Sequence, residues 1–180
     1  MTAAMDPGSV IKLAAVEQQA SALGLLLRLQ VRRPAGLVWT LRVGVARRSD
    51  PNDPRSPLQL LGELRGWALP LAAGLRLDTL RVQGTDTTAV GSLIWAATFA
   101  WALEATPCRQ AILLAIRDGD QQHRRLVRYF RRLGFMPIRE LGAGLMDLGP
   151  RLIWGGSGLL MGADCAEGLR RCAARLRTEG

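Results

Sequence analysis

The hydrophobic positions of this chain switch repeatedly between a period of two and a period near 3.6, which are typical of strands and helices. Gly36–Ala46 alternates apolar and polar side chains, whereas Glu17–Leu29 carries an apolar stripe at helical spacing. The predicted strands are Val10–Leu13, Gly36–Ala46, Leu60–Leu69, Leu75–Gln83, Gln110–Ile116, Met136–Leu141, Arg151–Trp154 and Leu159–Met161. The predicted helices are Glu17–Leu29, Thr88–Glu104, Gln121–Leu133 and Ala166–Arg177.

The order of these elements predicts an α/β fold. The strands of the first half are separated by short turns, which favours an antiparallel meander, and the second half alternates strands with helices. Thr88–Glu104 is apolar nearly all round and is therefore expected to be buried on more than one side. We expect one domain over residues 1–180, with a mixed, mostly antiparallel central sheet flanked by helices.

The strand Leu75–Gln83 has an irregular hydrophobic pattern. Leu75 and Leu77 share one parity, whereas Leu80 and Val82 share the other, so a regular strand cannot place both pairs on one face. A β-bulge at Asp78 or Thr79 would restore a common face by adding one residue. A strand that is buried on both faces explains the pattern equally well.

Composition and charge narrow the function classes. The net charge is +9 with 24 basic residues, which favours an anionic partner. Three cysteines without a C-x-x-C pair, together with one histidine, provide no plausible zinc ligand set, and free thiols fit a reducing compartment. The N-terminus lacks the features of a secretory signal, and the apolar run Val90–Leu103 is shorter than a spanning helix needs. We expect a cytoplasmic protein without a metal or a transmembrane segment.

Arginines concentrate on one arc of the predicted helix Gln121–Leu133. Such an arc is usually a solvated face, but it could also bind RNA, lipid or an acidic protein. The arginines of this arc are Arg124, Arg125, Arg128, Arg131 and Arg132.

Three motifs in order resemble the core of the GNAT acyltransferase superfamily. The strand ending Leu80-Arg81-Val82 is followed by the loop and helix start Thr87–Ile94, and a later helix ends in Tyr129–Phe135. The match covers about Leu75 to Leu141. The sequence departs from the family pattern at Asp86 and Ala89 in the loop, and Phe130 stands at the family's tyrosine position, one residue after Tyr129.

The resemblance implies a GNAT-like fold, acetyl-CoA or another acyl-CoA as co-substrate, and transfer of its acyl group to a primary amine of a small molecule or a protein. It also implies a pantetheine cleft between the bulged strand and Ala111–Ile116, with the cofactor pyrophosphate at the start of the helix after the bulged strand. The implied cofactor contacts are Leu80, Val82, Thr87, Thr88, Ala89, Val90, Gly91, Ser92 and His123. The candidate catalytic residues are Asp78, Tyr129 and His123.

Each catalytic candidate also has a structural interpretation. His123 could be a base, a cofactor contact or a capping residue, Asp78 an exposed strand residue, and Tyr129 a packing residue. The leading hypothesis is an acyl-CoA-dependent N-acyltransferase. The alternatives are a weakly active or inactive binding module with the same fold, and an arginine-rich protein that binds nucleic acid or an anionic surface.

Overall fold

The computed structural model describes residues 11–83, 87–142, 144–147, 149–150 and 154–179. The strands are β1 (Leu26–Arg32), β2 (Trp39–Arg48), β3 (Leu58–Ala68), β4 (Leu75–Val82), β5 (Gln110–Ile116), β6 (Met136–Leu141) and β7 (Gly158–Asp164). The helices of eight residues or more are α1 (Leu13–Ala22), α2 (Thr87–Ala105), α3 (Asp120–Arg132) and α4 (Cys165–Glu179).

The seven strands form one sheet in the order β1-β2-β3-β4-β5-β7-β6. The pairing is antiparallel throughout except between β4 and β5, which run parallel. This architecture confirms the predicted α/β class with a mixed, mostly antiparallel sheet. Of the strand predicted over Arg151–Trp154, residues 151–153 lie outside the described part, and Trp154 is not in a strand.

The beginning of the chain differs from the prediction. Residues 11 and 12 are not in a strand and Leu13 begins α1, while residue 10 lies outside the described part. The predicted helix Glu17–Leu29 ends early, because the chain turns at Gly24 with a φ of +69° and then enters β1. The leucines after this glycine fit a helix or a strand by hydrophobicity, and pairing with β2 selects the strand.

Helix α2 is the centre of the hydrophobic core. Leu93, Ile94, Trp95 and Phe99 are almost completely buried, as expected for a helix that is apolar on all sides. By length and hydropathy alone, the window Thr88–Ala105 could span a membrane (mean hydropathy 1.2), but 78% of it is buried within the protein. This window is longer than the apolar run identified in the sequence, and a central core helix has the same properties.

One glycine ends α3, and another allows α4 to pack closely on α2. Gly134, at a φ of +101°, ends α3, where the amides of Gly134 and Phe135 donate to the carbonyls of Arg131 and Phe130 at 3.0 Å each. Helix α4 packs closely on α2, since a Cβ added at Gly168 would lie only 2.5 Å from the Phe99 ring. The C-terminal ends of α3 and α4 lie near the first turns of α2, since Leu133 and Arg175 line one cavity together with Thr88 and Gly91.

Strand β4 contains the predicted bulge. Arg65 of β3 pairs with Thr79, and the next residue of β3 pairs with Leu77, so Asp78 is the extra residue. Beyond the bulge the parallel partner is lost, because β4 pairs with β5 only from Leu75 to Leu77. The bulge therefore lies at one of the two expected positions, and the ladder between β4 and β5 ends directly before it.

Candidate functional site

A cavity of about 400 Å³ lies beside the half of β4 that pairs with β3 but not with β5. It is bounded by the end of β4, the first turns of α2, the C-terminal turn of α3 and the last turns of α4. Its lining residues are Leu80, Val82, Thr88, Gly91, Ser92, Tyr129, Arg132, Leu133 and Arg175. Its volume lies in the range of small-molecule sites, which is about 300–1,000 Å³.

The bulge in β4 determines which side chains reach the cavity. Because Asp78 adds one residue, Leu80 and Val82 lie on the same face as Leu77 and point towards α2. A regular strand would turn them to the opposite face. The local irregularity therefore supplies the apolar wall of the cavity.

Tyr129 is one of three hydroxyl-bearing residues that line the cavity, together with Thr88 and Ser92. Its oxygen accepts a hydrogen bond from the Trp95 indole nitrogen at 2.9 Å. Because an indole can only donate, the phenolic hydrogen remains available to a ligand. Burial raises the pKa of Tyr129 to about 12, so the group is protonated at neutral pH.

Trp95 orients this hydroxyl. Its ring lies 5.6 Å from that of Phe99, 6.1 Å from that of Phe130 and 5.4 Å from that of Phe135. Three neighbouring aromatic rings restrict the rotation of the indole and fix the direction of its N–H. The tyrosine oxygen is consequently positioned by the core and not by a flexible loop.

Gly91 allows the Tyr129 hydroxyl to approach α2. An added Cβ at this position would lie 3.2 Å from the hydroxyl oxygen, which is closer than ordinary contacts. The glycine lies in the second turn of α2 and belongs to the cavity lining. A hydroxyl donor and the electropositive end of a helix are thus adjacent.

Two arginines make the cavity cationic. Arg132 and Arg175 both line it, and Arg175 donates a hydrogen bond to the Arg132 carbonyl at 3.2 Å. That carbonyl is in the last turn of α3, where a cation is favoured by the helix dipole. No carboxylate occurs among the described lining residues, so the local electrostatics favour an anion.

The predicted cofactor contacts divide into two groups. Five line the cavity, namely Leu80, Val82, Thr88, Gly91 and Ser92. Ala89 and Val90 are buried with 7% and 1% exposure and face the core, since their helical positions point away from the cavity. The side chain of Thr87 and all of Asp86 lie outside the described part, and no side chain of β5 lines the cavity.

The predicted catalytic residues do not come together. Only Tyr129 lines the cavity. His123 lies at the other end of α3, where its Nδ1 is 3.2 Å from the Ile116 carbonyl. Asp78 is exposed at the bulge, on the opposite face of the sheet from Leu77 and the cavity.

Phe130 and the arginine arc of α3 lie as the helical pattern predicts. Phe130 is 6% exposed and packs against Trp95 and Phe135, whereas the five arginines of the arc are exposed. Three of those arginines also line a shallower groove next to Tyr129, namely Arg125, Arg128 and Arg132. The position one residue before Phe130 is therefore the one that reaches the cavity.

Sequence reasoning missed Trp95 and Arg175. A buried tryptophan usually donates its N–H to a partner, which was the available signal for Trp95. Arg175 lay in a correctly predicted amphipathic helix, but nothing in that pattern indicates against which element the helix packs. Among the described residues, no group of three or more His, Cys, Asp or Glu side chains could hold a metal ion.

Comparisons with protein-family models, with curated proteins and with solved structures found no match to this chain.

Proposed function

We propose that this chain is an acyl-CoA-dependent N-acyltransferase that moves an acetyl group from acetyl-CoA to a primary amine. The observation that carries the proposal is the separation of β4 from β5 directly beside the cationic cavity. An opening between the two strands beyond Leu77, where their ladder stops, would connect the two faces of the sheet. A thioester bound on the helix side could therefore meet an amine that approaches from the other side.

The donor set of the cavity fits a phosphorylated acyl carrier. Arg132, Arg175 and the first turns of α2 would hold the pyrophosphate, because guanidinium groups and helix N-termini both favour phosphate. Leu80 and Val82 would contact the apolar part of the pantetheine arm. Beyond Leu77, backbone groups of β4 that point towards β5 have no ladder partner in that strand and could bond to the amides of that arm.

Acyl transfer then requires two proton movements. The amine nitrogen attacks the thioester carbonyl carbon, the carbon–sulfur bond breaks, and the thiolate accepts a proton from Tyr129, whose tyrosinate then regains a proton from water. Asp78, or water next to it at the bulge, removes the proton that the attacking amine loses. Burial raises the pKa of Tyr129 to about 12, which keeps this donor protonated at neutral pH.

Isothermal titration with acetyl-CoA tests the binding step. Arg132→Gln should weaken binding about tenfold, because a cationic contact to phosphate is lost. Arg131→Gln is the matched control. Arg131 precedes Arg132 on α3, is exposed and does not line the cavity, so its replacement should change the affinity for acetyl-CoA less than about twofold. No heat of binding at millimolar acetyl-CoA would contradict the proposal.

A non-catalytic anion-binding module is the second candidate. One observation favours it: no described base lines the cavity, since Asp78 lies on the opposite face of the sheet and His123 at the far end of α3. Acetyl-CoA binding without transfer to any amine in a broad acceptor screen would support this module. If the chain is an enzyme, Tyr129→Phe should lower its turnover by roughly 10²-fold or more. If it is a binding module, there is no turnover for this change to lower.

A further inference from the structure

The face of β1–β4 that lies away from α2 is strongly basic. Leu41, Val43 and Leu64 point into the core, so the alternate residues of the same strands form the opposite face. We call this opposite face the open sheet face. Its exposed arginines are Arg28, Arg32, Arg42, Arg65 and Arg81.

The strand register arranges this surface in rows across the sheet. Arg28 lies in a row with Glu63 and Arg81, and the next row contains Arg42 and Arg65. Successive rows on one face are about 6.8 Å apart and neighbouring strands about 4.8 Å apart. The cationic groups therefore cover an area about four strands wide.

Few acidic groups offset this charge. Glu63 accepts hydrogen bonds from both Arg42, at 2.8 Å, and Arg65, so one carboxylate is shared by two guanidinium groups. Asp78, at the bulge, is the other carboxylate of this face. The five exposed arginines alone exceed these two carboxylates by three positive charges, and the half-buried Arg76 on the same face adds to the excess.

The same face has groups that can contact bases. A groove of about 360 Å³ crosses β1–β3 and is lined by Gln30, Arg32, Thr40, Arg42 and Arg65 among others. Trp67 is half-buried and lies in the row between Thr40 and Arg76. Amide and hydroxyl groups can hydrogen-bond base edges, and an aromatic ring or a guanidinium plane can stack on a base.

From these observations we infer that the open sheet face binds single-stranded nucleic acid. The arginines contact the phosphates, and the groove, together with the ring of Trp67 opposite Thr40, accepts one or more bases. Exposed sheet faces that carry cationic and aromatic side chains suit a single strand, because its unstacked bases can lie on the surface. This inference does not rest on the proposed acyltransferase activity.

A pair of charge-matched triple variants tests the location. Arg28→Gln, Arg32→Gln and Arg81→Gln remove three exposed charges from the open sheet face, and none of these arginines pairs with a described acid. Arg124→Gln, Arg125→Gln and Arg131→Gln remove the same charge from the arc on α3. Binding of a labelled 12-nucleotide RNA or DNA single strand is measured by fluorescence anisotropy at several salt concentrations, together with the melting temperature of each variant.

The sheet triple variant should bind about tenfold more weakly than the unmodified chain. Its slope of log affinity against log salt should become shallower by about 2, since each lost phosphate contact of a single strand contributes roughly 0.7. The α3 triple variant should change affinity less than about threefold. Equal weakening by both triples, or weakening by the α3 triple alone, would overturn the inference.

A tryptophan pair tests base contact. Trp67→Leu should weaken binding roughly fivefold or more, by loss of stacking on a base. Trp39→Leu is the control, because Trp39 is also half-buried but lies on the other face, where it pairs with the buried Ala68. Equal effects of the two changes would contradict a base contact at Trp67.

The chemical class of the ligand is tested with three competitors. A duplex of the same length, polyglutamate and vesicles with phosphatidylserine are each added to the complex of the unmodified chain. Single strands should compete at least tenfold better than any of them. If the unmodified chain does not bind single strands at low salt, or if another polyanion competes equally well, the inference is wrong.

Discussion

Tyr129 links the core of the protein to its candidate site. The phenol accepts its hydrogen bond from Trp95, approaches α2 over Gly91, and shares the cavity wall with Arg132. Its position is therefore determined by buried rings, whereas its hydrogen is free to contact a ligand. Two predictions concern this residue and the neighbour that follows it.

The first prediction concerns the ionisation of Tyr129, the single tyrosine of the chain. Burial raises its pKa from the ordinary value of 10 to about 12. As the pH rises, tyrosine in the unfolded chain loses its proton at a lower pH than Tyr129 in the folded chain. The contribution of this pKa difference to folding stability is therefore fully present below pH 10 and is lost as the pH rises from about 10 to about 12. The tyrosinate absorbance of the native protein should accordingly have its midpoint near pH 12, against one near pH 10 in denaturant. A native midpoint near 10 would contradict burial of the hydroxyl.

The second prediction concerns Phe130→Tyr, which restores the tyrosine of the GNAT pattern. Phe130 packs among Trp95, Tyr129 and Phe135 and does not line the cavity. An added hydroxyl would be buried without a designed partner, and the free energy of unfolding should fall by roughly 1–3 kcal/mol. Thermal unfolding measures this loss, and acetyl transfer should not increase. A variant that is both stable and faster would mean that position 130 reaches the cavity.

At the scale of elements, β4 depends on one extra residue. Deleting Asp78 should remove the bulge. Either the pair before it, Leu75 and Leu77, or the pair after it, Leu80 and Val82, would then turn away from α2. The exposure of two such side chains should cost roughly 3–6 kcal/mol of unfolding free energy. Asp78→Asn is the control, which keeps the residue count and should change stability by less than about 0.5 kcal/mol. Circular dichroism melting curves of the two variants measure this difference; equal stabilities would mean that the bulge does not determine the register.

The secondary structure was predicted correctly where the local hydrophobic pattern determines it, and incorrectly where packing between elements determines it. The parity switch around Asp78 marked the place of the irregularity but left a bulge and a strand buried on both faces as equal explanations, and the register with β3 selects the bulge. Leu26–Leu29 was assigned to a helix, since a run of leucines carries no period that separates helix from strand. Only part of the cavity lining could be predicted, for the same reason. Leu80 and Gly91 belong to motifs that are visible in the sequence, whereas Arg175 reaches the cavity through the packing of α4 on α2.

At the scale of the whole molecule, the excess positive charge lies on three surfaces, two of which adjoin. The cavity with Arg132 and Arg175 adjoins the arc of α3 through Arg132, and the third surface is the open sheet face. The cavity is partly enclosed, since Arg175 is half-buried, whereas the arginines of the other two surfaces are exposed and should respond more strongly to salt. Because α4 carries Arg175, ligand binding at the cavity should depend on the position of α4 relative to α2.

The packing of α4 on α2 can be tested at Gly168. A Cβ at this position would lie 2.5 Å from the Phe99 ring, so Gly168→Ala should push α4 away from α2. The gain in helix propensity is about 1 kcal/mol, but overpacking of a buried contact costs roughly 1–3 kcal/mol. We therefore expect a net loss in unfolding free energy, together with weaker binding at the cavity, because Arg175 lies two turns further along α4.

Gly156→Ala is the matched control for this change. An added Cβ at Gly156 meets nothing within 4 Å, so the substitution should leave both the melting temperature and acetyl-CoA affinity almost unchanged. If Gly168→Ala lowers stability and leaves affinity intact, Arg175 holds its place independently of the helix packing. If it raises stability, α4 does not pack against Phe99 as closely as the structure places it, and the cationic wall of the cavity must be attributed to Arg132 and the N-terminus of α2 alone.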